Sequence, residues 1–136
     1  TRYLSLADVI AIHEQAMRRL GLAPNPLRGD GTLESTVMRP QMAAWYEGAD
    51  LIRQAALLGI GSSQAQAFLD GNKRTAYLAM NAFLRLNGHA YVGDPIALAQ
   101  QLEQVAERSR DPAAIDAFET WLRAHVKPHD SGNDSA

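Results

Sequence analysis

The sequence contains no cysteine, and this absence excludes disulfide bonds, thiolate nucleophiles and cysteine-based zinc sites. It has no large excess of charge of either sign, because 13 lysines and arginines stand against 15 aspartates and glutamates. The balance gives no electrostatic basis for non-specific binding to nucleic acid or to a membrane surface. No apolar run is long enough to span a bilayer, and the first residues lack a signal-peptide pattern. We therefore expect a soluble, cytoplasmic protein that binds neither nucleic acid nor a membrane directly.

What the chain does contain is the composition of an ordinary globular protein, with 46% apolar and 21% charged residues among 136. A chain of this length forms one domain and buries roughly 70% of the surface that its unfolded state exposes. We place this domain at residues 1–126. The polar remainder, KPHDSGNDSA (127–136), is expected to be disordered.

Apolar residues recur with the 3.6-residue period of helices along most of the chain, and strand-like alternation of useful length is lacking. Ser5 followed by Asp8 is typical of a helix start, and Gly21 of a helix end. The predicted fold is therefore all-α, with at most one short hairpin. The predicted helices span about residues 6–20, 33–47, 50–64, 73–86, 95–108 and 112–125.

The fourth predicted helix has an unusually apolar body. Its polar residues Arg74, Asn81 and Arg85 fall on one narrow stripe, since each residue turns the helix by about 100°. A helix that is apolar on nearly all other sides is normally packed by neighbours on most of them. We therefore expect this helix to be the central helix of the domain.

The residues at its start, DGNKR (70–74), have the properties of an anion site. The first backbone N–H groups of a helix lack partners, and the helix dipole adds about half a positive charge there. Gly71 allows the backbone to approach a phosphate closely, while Lys73 and Arg74 add two cations. Asp70 alone would repel an anion, but it suits a ligand of Mg²⁺ carried by a nucleotide. The same residues are also compatible with an ordinary solvated turn, so this pattern alone leaves both interpretations open.

The longer string FLDGNKRTA (68–76) resembles the signature of the Fic superfamily, which reads His-x-Phe-x-Asp/Asn-Gly/Ala-Asn-Lys/Arg-Arg. Two more segments, RGDGTLESTVMRPQ (28–41) and FLRLNG (83–88), resemble the death-on-curing, or Doc, branch of that superfamily. The resemblance covers about residues 3–125. It implies a compact bundle of about six helices, with a small flap hairpin near residues 24–31 that holds the target peptide as an added strand.

The resemblance also implies an activity, because members of the superfamily transfer part of a nucleotide to a protein hydroxyl. Most members attach AMP, whereas the Doc branch is similar to kinases that move the γ-phosphate of ATP onto a translation factor. ATP and Mg²⁺ are the implied cofactors, with Asp70 as the metal ligand and Phe68 as an anchor of the loop. The implied nucleotide-binding residues are Gly71, Asn72, Lys73 and Arg74. The implied catalytic residues are Lys73 and the residue at position 66.

Position 66 is where the chain departs from the signature, because Gln66 stands in place of the motif histidine. A glutamine amide has no useful pKa and cannot accept the proton of the attacking hydroxyl. General-base help contributes about 10²–10⁴-fold, whereas phosphoryl transfer depends more on positioning and charge. We therefore expect AMP transfer to be lost, and a kinase-like reaction to be impaired to a smaller extent. His13 lies on the apolar stripe of the first helix and is expected to be a core histidine, not a substitute base.

Self-inhibited members of the superfamily carry Ser/Thr-x-x-x-Glu-Gly/Asn, but here Ala43 stands four residues before Glu47. A toxin of this branch would thus need a separate antitoxin, whose disordered tail folds into a helix against it. Three hypotheses remain open: a toxin enzyme, a pseudoenzyme that retains the nucleotide pocket, and a regulatory helical domain with a vestigial motif. Retention of all the polar motif residues after position 66 disfavours the third.

Overall fold

Six helices and two short strands make up the part of the chain that the structure describes. The structure is a computed structural model and describes residues 1–24, 26–27, 31–65 and 71–129. In chain order the elements are α1 (Leu6–Arg19), α2 (Thr32–Glu47), α3 (Leu51–Ala65), α4 (Asn72–Leu86), β1 (His89–Tyr91), α5 (Pro95–Glu107), α6 (Pro112–Ala124) and β2 (Val126–Pro128). The predicted all-α class is confirmed. No helix within these residues is long and apolar enough to cross a membrane.

Side-chain caps explain why three of the helices begin where they do. The Asp8 backbone N–H donates to the Ser5 hydroxyl at 3.1 Å, and the Ser5 N–H donates to the Asp8 carboxylate at 2.8 Å. This reciprocal pair is a capping box, and it fixes the start of α1. Asp94 and Asp111 cap α5 and α6, and each is followed by a proline whose fixed φ suits the first helical position. The observed limits of all six helices lie within one residue of the predicted ones.

The most deeply buried helix is α3, which corrects the prediction that the fourth helix is the central one. Every residue of α3 from Gln54 to Ser62 is buried, and α3 packs against α2, α4, α5 and α6. Gly59 permits this close packing, because a Cβ at that position would lie 3.0 Å from side-chain atoms of both Met80 and Leu102.

Helix α4 buries only one of its sides. Its buried residues are Thr75, Ala76, Ala79, Met80, Phe83 and Leu84. The residues on its other side, among them Leu78 and Ala82, are only partly covered because they border an open groove. The apolar residues Leu78 and Ala82 therefore belong to a groove wall and not to the buried core.

A two-stranded antiparallel sheet joins the end of the described chain to the segment after α4. His89 pairs with Pro128 and Tyr91 pairs with Val126. Lys127 and Pro128 thus belong to a strand, although the polar composition around them predicted a disordered tail. Composition does not report this pairing, because strands pair through backbone groups that are the same for every residue except proline.

Parts of the predicted flap hairpin (24–31) and of the predicted tail (127–136) lie outside the described residues. These parts are residues 25, 28–30 and 130–136. For them, both the hairpin and the disordered tail stay predictions.

Candidate functional site

Four of the predicted site residues lie together at the start of α4. Gly71 is the N-cap, with a left-handed φ of +78°, and Asn72, Lys73 and Arg74 form the first turn. Residues with a side chain rarely adopt this backbone conformation. A Cβ at Gly71 would also lie 3.0 Å from the sulfur of Met17. Glycine therefore both allows the left-handed cap and lets α4 begin close against α1.

The remaining predicted site residues are Gln66, Phe68 and Asp70, and all three lie outside the described residues. Their assignments, as the residue in place of the catalytic histidine, the loop anchor and the Mg²⁺ ligand, stay predictions. Among the residues that the structure describes, no group of three or more His, Cys, Asp or Glu could hold a metal ion. A Mg²⁺ ion that is bound by one carboxylate and the phosphates of a nucleotide does not need such a group.

The start of α4 has the electrostatic character of an anion site. The helix dipole adds about half a positive charge at this end of α4, and the capping residue Gly71 contributes no side chain there. Two cations, Lys73 and Arg74, follow Asn72, and both of their side chains are exposed. Within the described part of the chain, Arg74 makes no ion pair. Its guanidinium can therefore bind an anion without first breaking such a pair, and phosphate oxygens match its planar fork.

Lys73, in contrast, already has a partner on another helix. Its Nζ donates to a carboxylate oxygen of Glu103 on α5 at 2.6 Å. The two side chains are 65% and 50% exposed, and a pair this exposed contributes about 0.2–1 kcal/mol. An anion at the start of α4 would compete with Glu103 for Lys73, and this competition is weak enough for a phosphate to win.

A groove of about 760 Å³ runs from this site along the open side of α4, between α1 and α5. Apolar side chains and short alanines form much of its wall: Ile12, Ala16, Leu20, Leu78, Ala82 and Ala99. Of the charged side chains that line it, four are cations (Arg19, Lys73, Arg74 and Arg85) and one is a carboxylate (Glu103). The groove is therefore apolar along its wall and positively charged, and its charge is continuous with that of the α4 start.

Sequence reasoning predicted that His13 is buried in the core, and this is confirmed, because its exposed fraction is 0%. It did not predict that His13 lies directly below the candidate site. The His13 Nδ1 is 3.1 Å from the hydroxyl oxygen of Thr75 in α4. No local pattern could have revealed this contact, since 62 residues separate the two side chains along the chain.

These features can be set beside known proteins. A family model described as the Fic/DOC family matches residues 3–84, a span that includes α1, α2, α3 and all but the last two residues of α4. The chain belongs to the Fic/DOC family, and its resemblance to the Doc branch is confirmed.

Two curated relatives carry the name Doc. The chain is 33% identical to "Toxin Doc" of Mycolicibacterium smegmatis over 123 residues, which cover 86% of this chain and 90% of that protein. It is also 33% identical to "Protein kinase doc" of Escherichia phage P1 over 88 residues, which cover 64% of this chain and 69% of that protein. The similarity thus extends over most of the fold and is not confined to the motif.

Proposed function

We propose that this chain is a Doc-like toxin of a toxin–antitoxin pair, which uses ATP and Mg²⁺ to modify a hydroxyl group of a target protein. The observation that carries the proposal is the Arg74 guanidinium, exposed and without an ion pair among the described residues, at the start of a glycine-capped helix in a Fic/DOC chain. Similarity to proteins named as a Doc toxin and as a Doc protein kinase supports the class. By the resemblance, the target is a translation factor.

Either of two reactions fits such a site. In a kinase reaction the target oxygen bonds to the γ-phosphorus, the bond from that phosphorus to the bridging oxygen breaks, and ADP leaves. In AMP transfer the same oxygen bonds to the α-phosphorus and pyrophosphate leaves. In both reactions the hydroxyl loses its proton to a base or to water, and Mg²⁺ bound with the nucleotide would neutralise part of the phosphate charge.

The residues at the start of α4 would act by binding and orientation. Backbone N–H groups of its first turn would donate to phosphate oxygens, with the helix dipole in their favour. Arg74 would bind two phosphate oxygens with its planar fork, and Lys73 would contribute a point charge after it leaves Glu103. Such positioning is the main protein contribution to phosphoryl transfer.

A second candidate function is a pseudoenzyme that binds the nucleotide without transferring any part of it. The observation that favours this alternative is Gln66, since an amide cannot serve as the general base. The two candidates share the phosphate site and differ only in turnover. Nucleotide binding therefore tests both, and transfer of a labelled group separates them.

We further propose that the antitoxin covers the groove beside α4 with an acidic amphipathic helix. From Lys73 to Arg85 the wall of the groove extends about 18 Å, which matches three turns of helix. Its apolar wall fits the apolar face of such a helix, and its excess of cations fits acidic residues at the margin. A helix at this place would cover Arg74, which would explain inhibition of the toxin.

Isothermal titration of ATP, with and without Mg²⁺, tests the nucleotide site. We expect Arg74→Ala to weaken binding about 10- to 100-fold, since a hydrogen bond to a charged group contributes about 1.5–3 kcal/mol. The matched control is Arg85→Ala, which removes the same charge from the same stripe of α4, about 16 Å further along the helix. An Arg74→Ala variant that binds ATP as tightly as Arg85→Ala does would contradict the site assignment.

A further inference from the structure

The buried residue His13 connects α1 to the first turn of α4. Its side chain is fully buried, and that of Thr75 is 3% exposed. The distance from Nδ1 of His13 to the Thr75 hydroxyl oxygen is 3.1 Å, within the range of a hydrogen bond. Burial of an imidazole and a hydroxyl is unfavourable unless both are hydrogen-bonded. The two groups therefore stabilise each other's position between α1 and α4.

His13 also supports the glycine at which α4 begins. A Cβ built on Gly71 would lie 3.5 Å from Cε1 and 3.7 Å from Nδ1 of His13, so one edge of the imidazole lies against the Gly71 backbone. The Thr75 N–H in turn donates to the Gly71 carbonyl at 2.9 Å, which closes the first turn of α4. One side chain of α1 thus contacts both ends of this turn.

We infer that His13 is a positioning residue for the phosphate-binding turn. The inference rests on the proposed nucleotide site at that turn. The Thr75 hydroxyl has an alternative acceptor in the Gly71 carbonyl, because a threonine in a helix can bond to the carbonyl four residues earlier. His13 holds the hydroxyl toward α1 instead and fixes the turn relative to the rest of the fold. The direction of the N–H groups of residues 72–74 depends on this anchorage.

A small displacement of the turn is expected to have a large effect on binding. A displacement of about 1 Å in a group that binds or orients a reactant can cost about 10²-fold in rate. His13 is not placed against the substrate and acts through Gly71 and Thr75. A variant at position 13 should therefore alter the turn, and its anion affinity, by more than a loss of core packing alone would.

The experiment uses two pairs of variants. His13→Leu keeps the bulk but removes the polar atoms, whereas His13→Asn places an amide near the position of Nδ1. Thr75→Val removes the hydroxyl with little change in shape, whereas Thr75→Ser retains it. Val9→Ala is the control for general destabilisation, because Val9 is a buried residue of α1 that packs in an apolar cluster with Leu33, Val37 and Ala79.

The first readout is hydrogen exchange of the amide at position 75, whose N–H donates to the Gly71 carbonyl, and it needs no nucleotide. We expect exchange to be at least tenfold faster in His13→Leu and in Thr75→Val than in Val9→Ala. The variants are compared under conditions in which their melting temperatures are equal. His13→Asn and Thr75→Ser should recover most of the protection. The double variant should exchange no faster than the faster of the two single variants, because both substitutions remove the same contact between His13 and Thr75. If His13→Leu does not fold, Thr75→Val carries the same comparison.

The second readout is the dissociation constant of ATP with Mg²⁺. We expect it to rise about tenfold in the variants that lose protection. Exchange of the amide at position 75 that is the same in His13→Leu and Thr75→Val as in the Val9→Ala control would overturn the inference, whatever the nucleotide does. Failure of the wild-type chain to bind ATP, together with the expected loss of protection, would instead contradict the proposed function and leave the anchorage by His13 supported.

Discussion

Glu103→Gln is expected to increase the affinity of the chain for ATP, although Glu103 binds no nucleotide itself. In the structure Glu103 holds the Nζ of Lys73 at 2.6 Å, so Lys73 must leave this partner before it can bind a phosphate. Glutamine keeps the shape of the side chain and removes the charge. Binding of ATP to Lys73 would then no longer require a broken ion pair.

The size of the gain follows from the exposure of the pair. Because the two side chains are 65% and 50% exposed, solvent screens their attraction. The pair is therefore worth about 0.2–1 kcal/mol, which corresponds to a gain of roughly 1.5- to 5-fold in ATP affinity. The gain should shrink in about 0.5 M salt, because the Debye length is then only about 4 Å and exposed ion pairs are weakened. The free energy of unfolding should fall by no more than about 1 kcal/mol.

Glu107→Gln is the matched control, because Glu107 lies one turn further along α5 and is also exposed. It removes the same charge from the same helix, but Glu107 makes no ion pair among the described residues. Titration calorimetry of both variants separates release of Lys73 from the general loss of negative charge. An affinity gain in Glu103→Gln that does not exceed the gain in Glu107→Gln would refute the reasoning.

Two further predictions concern acid stability and the partner surface. A hydrogen bond from Arg123 holds the pKa of Asp50 below its ordinary value of 3.8. A carboxyl with a lowered folded-state pKa stabilises the fold above its unfolded-state value, and this contribution is lost as the pH falls through the folded-state pKa. The free energy of unfolding of Arg123→Gln in urea should thus lie up to about 1 kcal/mol below the wild-type value at pH 7, and this difference should shrink as the pH falls below 3.8. A difference that is the same at all these pH values would contradict the prediction. If a neighbouring gene encodes the proposed antitoxin, Leu78→Arg, in the groove wall, should prevent its co-purification, while Met38→Arg on the exposed face of α2 should not. Recovery of the antitoxin with both variants would exclude the groove as its docking surface.

The helices were predictable because their signals are local. Ser5, Asp94 and Asp111 cap helices through bonds to residues two or three positions away, and such bonds can be inferred from neighbouring letters. The start of α4 was predictable for the same reason, since Gly71 and the residues that follow it form one continuous string.

The contacts that organise the site could not be inferred in this way. Lys73 and Glu103 are 30 residues apart, and His13 and Thr75 are 62 residues apart. Which side chains meet over such distances depends on how the helices pack, and periodicity within one helix does not determine it. The same limit explains why α4 was predicted to be central: an apolar stripe looks the same in sequence whether a helix or an open groove faces it.

The proposed function requires that the chain retains a phosphate-transfer site and lacks only its general base. The most direct test is Gln66→His, incubated with a bacterial lysate and ATP labelled separately at the α- and γ-phosphates. Gln66→Ala is the control, because it also lacks a base and should behave as the wild type does.

If the claim holds, Gln66→His transfers one of the two labels to a protein with a turnover rate about 10²–10⁴-fold above that of the wild type. The dissociation constant of ATP should change little, since a base acts in the transition state and not in ground-state binding. Transfer of neither label by Gln66→His, with ATP binding intact, would contradict the claim and identify the chain as a nucleotide-binding relative of the toxins.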